Sequence, residues 1–297
     1  MKCDLCPRKC LVDRKKGEKG ICGQTENLKV ARAALHFWEE PCISGDAGSG
    51  AVFFSGCPLH CIFCQNENIA NGTVGKEISL ERLVDIFLEL QEKEANNINL
   101  VTPGHFVPQI VKALDQARKE GLTLPVVYNT SSYETVDTIR MLDGYVDIYL
   151  PDFKYMSPVL SKKYSHAPDY AQVAKAAITE MVRQTGKAVF VNGDEDNLIL
   201  RGTIVRHLTL PGCMADSMQI LKYLHDTYGD MIYISIMNQF TPLSNLEKYP
   251  ELNRRITDEE YETLVDYAID IGIENGFIQE GDTAEESFIP AFDCEGV

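Results

Sequence analysis

The sequence contains no stretch approaching the roughly 18 apolar residues of a membrane-spanning helix. Its opening, Met1-Lys2-Cys3-Asp4-Leu5-Cys6, holds no apolar run of the kind that starts a signal peptide. Both absences lead to the expectation of a cytoplasmic protein with no membrane partner. Basic side chains are scarce: 28 Lys and Arg stand against 44 Asp and Glu, a formal net charge of −16. So acidic a surface repels phosphate backbones and anionic lipid, which disfavours nucleic acid as partner or substrate and argues against RNA modification. No internal repeat and no low-complexity linker divides the 297 residues, and 44% of them are hydrophobic. That is enough core for one large α/β domain or two ordinary ones.

Charge and cysteine are both unevenly distributed. Seven basic and three acidic residues fall within the first 22, so that segment is +4 and the remainder −20. After Arg255 there are 13 acidic residues and no Lys or Arg. Eight of the ten cysteines precede residue 65; only Cys213 and Cys294 follow. A disulfide framework would be reduced in the cytosol, so these thiols point to metal or redox chemistry.

Short apolar runs suited to buried parallel strands occur at 51–54, 98–101, 124–128, 145–150, 188–191, 204–210, 232–236 and 276–278. Helical patterns lie between them. Ser79 precedes a helix whose Leu80, Leu83, Val84, Phe87 and Leu90 share one face. A second helix spans 107–120 and stops at Gly121, and Thr257 with Glu260 forms a capping box for a third that ends near Gly272. This alternation predicts parallel β/α architecture, either a barrel or an open doubly wound sheet, with active residues at the C-terminal ends of the strands.

Cys57-Pro58-Leu59-His60-Cys61-Ile62-Phe63-Cys64 follows directly on the first of these strands. Three thiolates so closely spaced can grip one metal centre, and soft sulfur selects zinc or iron–sulfur. A four-iron cubane held by three cysteines keeps one iron open for chemistry. The plainer reading is zinc, completed by Cys42 or a more distant cysteine.

The segment Phe53-Phe54-Ser55-Gly56-Cys57 through Cys64-Gln65-Asn66 resembles the cluster loop of radical S-adenosylmethionine (SAM) enzymes. It is similar in particular to the pyruvate formate-lyase activating enzyme branch, where an aromatic, a Cys and a His/Gln-Asn pair end the loop. Later segments keep that family's order over roughly residues 50–280. The resemblance implies a partial (β/α)6-type barrel over 49–280; residues 1–48 before it read as a Cys-rich module, which the short activating enzymes lack, and 281–297 as a tail packing on the barrel. It also implies a 4Fe–4S cluster on Cys57, Cys61 and Cys64, with SAM chelating the open iron. Reductive cleavage of SAM would give methionine and a 5′-deoxyadenosyl radical that abstracts a substrate hydrogen. A flavodoxin or ferredoxin-type electron donor is the implied partner, and a glycyl radical enzyme the implied protein substrate. A small molecule or another peptide is the alternative substrate, and a non-catalytic zinc or iron–sulfur binding protein is a remoter one.

The resemblance assigns SAM contacts as well. Phe63 and Gln65 belong to the loop itself. In Val101-Thr102-Pro103-Gly104-His105, Gly104 occupies the family's glycine-rich segment for the SAM amino group, but His105 stands where an acid is expected. Asn129 and Ser131, ending the third strand, suit ribose recognition, although Ser131 equally suits a helix cap. Asp152 and Lys154 lie on the same side of an extended chain and can bind a zwitterion or simply pair with each other. Arg206 can clamp a carboxylate or neutralise a neighbouring acid, while His207 alternates to the other face. Asn238 and Gln239 end a further strand near the expected adenosine.

Cys3-x2-Cys6-x3-Cys10-x11-Cys22 is a separate four-thiol motif. It reads as a compact second metal site, zinc or an auxiliary cluster, whose negative charge the local +4 would offset. Cys42, Cys213 and Cys294 read as single buried thiols. Phe288-Ile289-Pro290-Ala291-Phe292 reads as a cover over the barrel mouth or edge.

Overall fold

The computed structural model describes residues 2–195, 197–243, 246–279 and 290–297. Its strands are β1 (Leu28–His36), β2 (Ser49–Phe54), β3 (Lys76–Ile78), β4 (Ile98–Val101), β5 (Val126–Thr130), β6 (Ile148–Pro151), β7 (Val189–Phe190), β8 (Ile199–Leu208), β9 (Tyr233–Met237) and β10 (Gly276–Ile278). The helices are α1 (Pro41–Ser44), α2 (Glu67–Ala70), α3 (Leu80–Glu92), α4 (Val107–Lys119), α5 (Val136–Arg140), α6 (Pro158–Ser165), α7 (Tyr170–Thr185), α8 (Met214–Tyr228) and α9 (Asp258–Asp270). None is long and apolar enough to cross a membrane among the described residues.

The strands form one sheet in the order β10-β9-β8-β6-β5-β4-β2-β1-β3, with β7 paired to β8 off this path. From β2 to β10 along that order every pairing is parallel. The two end strands do not meet, so the sheet is an α/β partial barrel rather than a closed one. Three of its connecting helices, α3, α4 and α9, are those the sequence predicts. Ser79 caps α3 by accepting from the Arg82 amide, and Leu83, Val84, Phe87 and Leu90 are buried against the strands. Thr257 and Glu260 form the reciprocal capping box of α9.

Alternation along each strand divides the side chains between two cores. Val126, Tyr128 and Tyr149 face the helices, in one large cluster with Leu83, Phe87, Phe106 and Ile110. Val127, Ile148, Leu150 and Ile204 face inward and pack with Cys42, Ile43 and Phe190. Burying each such side chain stabilises by roughly 1.5–3 kcal/mol. The inner cluster fills the end of the barrel from which the parallel strands start. One register step further along, Asn129, Asp152 and Arg206 replace apolar side chains.

Three features differ from the sequence expectations. The run at 188–191 shortens to Val189–Phe190 and pairs antiparallel with β8, because the connection to Ile199 is too short for a parallel crossover. β8 starts at Ile199 rather than residue 204. Leu28–His36, placed by sequence within the N-terminal module, is a strand of the main sheet, antiparallel to β2 with Ala33 opposite Val52. The chain's last described residues add to that edge: the Cys294 amide donates to the Ala31 carbonyl and the Ala33 amide to Glu295. Phe292 lies edge-on to Phe53 at 5.4 Å. Phe288 and Ile289 of the expected cover lie outside the described residues.

Candidate functional site

The loop after β2 carries Cys57, Cys61 and Cys64 into a cavity of about 260 Å³ at the C-terminal ends of the parallel strands. Gly56 opens the loop with φ +93°, and a Cβ there would collide with the Cys22 carbonyl and the Gln24 side chain. Phe63 is buried edge-on to Phe240 at 5.9 Å and walls the thiols on one side. Ser165 Oγ donates to Cys61 Sγ at 2.9 Å.

The chemistry of this donor set fits an iron–sulfur cluster. Burial is the main force that pushes the three thiols up, Cys57 to about 11 and Cys64 to about 12. Mutual repulsion of the sulfurs adds to it. Cys61 is also raised by burial, against the Lys154 ammonium and the Ser165 hydroxyl, which favour its thiolate. Such thiols hold protons until a cation displaces them, so their burial is offset by metal. Among the described residues no three His, Cys, Asp or Glu side chains converge on the shell of a single ion. Cys42 packs in the inner apolar cluster and does not line the cavity.

Eight of the ten residues assigned to SAM line the same cavity: Phe63, Gln65, Asn129, Ser131, Asp152, Lys154, Arg206 and Gln239. Gly104 does not; it is packed against the Glu134 carboxylate, which is bonded to Tyr128 and Thr130. Asn238 is also off the lining, with its amide donating to Gln279 Oε1. His105 points away from the cavity, donating from Nε2 to the Ser55 carbonyl at 2.7 Å, and burial lowers it to about 3.

The polar side chains of the cavity form one connected array. Lys154 Nζ donates to Asp152 Oδ2 at 2.6 Å and Arg206 Nε to Asp152 Oδ1 at 3.0 Å. Burial works against the Asp152 charge, but Lys154 and Arg206 outweigh it and hold the carboxyl below its usual range. Arg206 also donates to Asn129 Oδ1 at 2.7 Å and to Glu39 Oε2 at 2.8 Å. Asp152 and Lys154 therefore both face the cavity and pair with each other, and three Arg206 nitrogens are committed to protein groups. His207 turns to the opposite face, bonded to the Phe153 carbonyl and Ser217 Oγ.

Sequence reasoning missed His36, which ends β1, Trp38 and Glu39 just after it, and Thr102 and Met237 at strand ends, all of which line the cavity. Nothing in the motif Phe37-Trp38-Glu39-Glu40-Pro41 signals a site.

The N-terminal thiols lie behind the cluster loop. Cys6 is pushed up to about 12, chiefly by burial and further by the nearby Cys22, Cys10 and Cys3 sulfurs. Arg8 clamps this module to the loop and to the end of α6, donating to the carbonyls of Pro58 at 2.9 Å, His166 at 2.6 Å and Ser165 at 3.1 Å. Arg14 is buried and bonded to the carbonyls of Thr25 and His105. Part of the local positive charge thus serves to fasten backbone.

A family model described as the Radical SAM superfamily matches residues 51–195. An uncharacterized protein of Methanocaldococcus jannaschii is 26% identical over 276 residues, 90% of this chain and 74% of that protein. The solved structure of Streptococcus suis SuiB bound to S-adenosylmethionine superposes with a TM-score of 0.52 at 12% identity, over 76% of this chain and 48% of SuiB. HydG, a maturase of the FeFe-hydrogenase, superposes with a TM-score of 0.51 at 14% identity, over 78% and 52%. The chain thus spans about half the length of these structures, and the likeness to them is one of fold. The segment matched to the Radical SAM superfamily, just under half of the chain, contains Cys57, Cys61 and Cys64 together with Asn129, Ser131, Asp152 and Lys154 of the cavity.

Proposed function

We propose that this protein is a radical SAM enzyme whose cluster is held by Cys57, Cys61 and Cys64 and whose SAM lies over the Asp152–Lys154–Arg206 array. The observation that carries the reading is that one cavity is lined by the three thiols and by eight of the polar and aromatic side chains assigned to SAM. When bound, the two cofactors supply reductive cleavage and a 5′-deoxyadenosyl radical. The chain's own residues do the rest. Lys154 and the Ser165 hydroxyl offset negative charge at Cys61. Asp152 and Lys154 present opposite charges 2.6 Å apart to the zwitterionic methionyl end. Asn129 and Ser131 offer amide and hydroxyl groups to the ribose, and Phe63 with Phe240 keeps water from the thiols.

For the hydrogen donor we propose a backbone glycine of a partner protein, with the electron coming from a flavodoxin or ferredoxin-type donor. The likeness of the cluster loop to the activating enzymes supports this. Cys3, Cys6, Cys10 and Cys22 are proposed to hold a second metal centre; the proximity of the four sulfurs and the burial that raises Cys6 and Cys22 support it.

The test is anaerobic incubation of the reconstituted protein with SAM and dithionite, with 5′-deoxyadenosine measured by chromatography. Wild type is expected to form it and Cys61→Ala to lose it; an intact cluster with no product and no SAM binding would refute the reading. A glycyl radical doublet in the EPR spectrum of a candidate partner supports the glycine donor. Turnover with a small molecule or peptide and no doublet replaces it. Iron, sulfide and zinc analysis of wild type and Cys6→Ala identifies the second centre, and an unchanged metal content in Cys6→Ala removes it.

A further inference from the structure

Glu39 reaches the cavity from the opposite end of the barrel to the cluster loop. β1 runs antiparallel to β2, with His36 opposite Ser49, so it delivers its C-terminal end to the start of the parallel strands. The chain then turns inward, and Pro41 begins α1, whose Cys42 and Ile43 are buried in the inner apolar cluster. Above that cluster the Glu39 carboxylate closes the cavity floor. Its Oε1 accepts from Asn99 Nδ2 and from Asn129 Nδ2, both at 3.0 Å, and its Oε2 accepts from Arg206 at 2.8 Å. Side-chain exposure is 8% for Glu39 and 14% for Arg206.

Three consequences follow from these bonds. Both carboxylate oxygens are engaged by protein, so Glu39 is not built as an open ligand. It joins three strands, β4 through Asn99, β5 through Asn129 and β8 through Arg206, at the height where the inner face changes from apolar to polar. It also fixes the amide of Asn129. With Nδ2 held by Glu39 and Oδ1 held by Arg206, the Asn129 side chain has one orientation. Arg206 in turn holds Asp152, so the setting of the whole array depends on a residue that lies outside the matched 51–195 segment.

We propose that Glu39 is a positioning residue for SAM: it acts through Asn129 and Arg206 and makes the N-terminal strand an integral part of the cofactor site. The inference rests on the proposed function, since it takes the cavity as the SAM site. An array already locked before SAM arrives loses little side-chain freedom on binding, which favours affinity. A buried charge left without its partner would rearrange, and the Arg206–Asn129 geometry would go with it.

The experiment is equilibrium dialysis of SAM against the full-length, cluster-reconstituted protein, with iron content and cluster absorbance measured on each sample. Glu39→Ala is expected to raise the SAM Kd by tenfold or more at unchanged iron content, and Glu39→Asp, which keeps the charge but retracts it, by a smaller factor. Because Glu39 acts in part through Asn129, the Glu39→Ala/Asn129→Ala double variant is expected to lose clearly less affinity than the product of the two single losses. The KM for SAM in deoxyadenosine formation rises more than kcat falls. Wild-type affinity in Glu39→Ala, or a double variant whose loss equals the product of the two single losses, overturns the proposal. If Glu39→Ala does not retain its cluster, wild-type affinity in Glu39→Asp overturns it instead. A wild-type protein that binds no SAM would overturn the proposed function itself, a result distinct from either of these.

Discussion

Ser165 Oγ and Cys61 Sγ lie 2.9 Å apart, with the hydroxyl donating to the sulfur. Ser165 ends α6, 104 residues along the chain from Cys61, and shares its region with Arg8, which grips the Ser165 carbonyl. The cluster loop is thereby tied at once to a barrel helix and to the N-terminal module.

Removal of that donor changes the electronics of the sulfur. In metal-free protein, Ser165→Ala raises the Cys61 thiol further above its ordinary value, read as a higher pH for half-maximal alkylation. In reconstituted protein the reduction potential becomes more negative, because a thiolate without a hydrogen bond donates more charge to iron. An EPR-monitored redox titration checks this, and an unchanged potential would show that the bond has no role in tuning the site.

Arg8→Ala removes the three carbonyl bonds that fasten the four-thiol module to the loop and to the end of α6. Hydrogen bonds from a charged donor contribute about 1.5–3 kcal/mol each when well buried. These are only partly buried, so the expected loss is about 2–3 kcal/mol in all. Urea unfolding measures it. The same variant should lose iron from Cys57, Cys61 and Cys64 faster under a chelator.

Gly56→Ala asks for a left-handed backbone at φ +93° and drives a methyl group into the Cys22 carbonyl. The expected destabilisation is more than about 1 kcal/mol, with poor cluster incorporation. Gly121→Ala, at φ +109° but with nothing near its Cβ, shares the backbone strain without the collision and serves as the control.

His207 supplies a pH dependence with a defined sign. Burial lowers its native pKa to about 4, whereas the unfolded chain titrates near 6.5. Above 6.5 neither state is protonated and the His207 bonds contribute in full. As pH falls from about 6.5 towards 4, only the unfolded state takes the proton, and native stability is lost. Relative to His207→Gln, wild type should lose up to about 1.4 kcal/mol per pH unit in that window. The comparison must be a difference between the two proteins, because buried carboxyls with raised pKa, such as Glu134 and Asp216, act in the opposite direction. Equal slopes for wild type and variant would contradict the neutral, buried state of His207.

How much of this was legible in the sequence depends on the range of the interactions involved. Ile98–Val101 and Gly276–Ile278 appear as strands within the limits expected from apolar runs, and the α3 and α9 caps are where the Ser and Thr signals put them. These are local: neighbouring residues decide them. β1 was not legible, because Leu-Lys-Val-Ala-Arg-Ala-Ala-Leu-His is rich in helix formers. It is extended because β2 pairs with it on one side, and β3 and the chain's last residues bond to it on the other.

The site divides in the same way. Sequence by itself determined the three-thiol loop, its place after a parallel strand, and the alternation that turns Arg206 inward and His207 outward, since those depend on spacing and on the two-residue period of a strand. Only the tertiary structure decided that Arg206 meets Glu39, 167 residues away, and that Gly104 and His105 stay out of the cavity. It alone placed the N-terminal module against the back of the cluster loop. A buried ion pair leaves no local trace, because either partner is an ordinary charged residue until the fold excludes water from both.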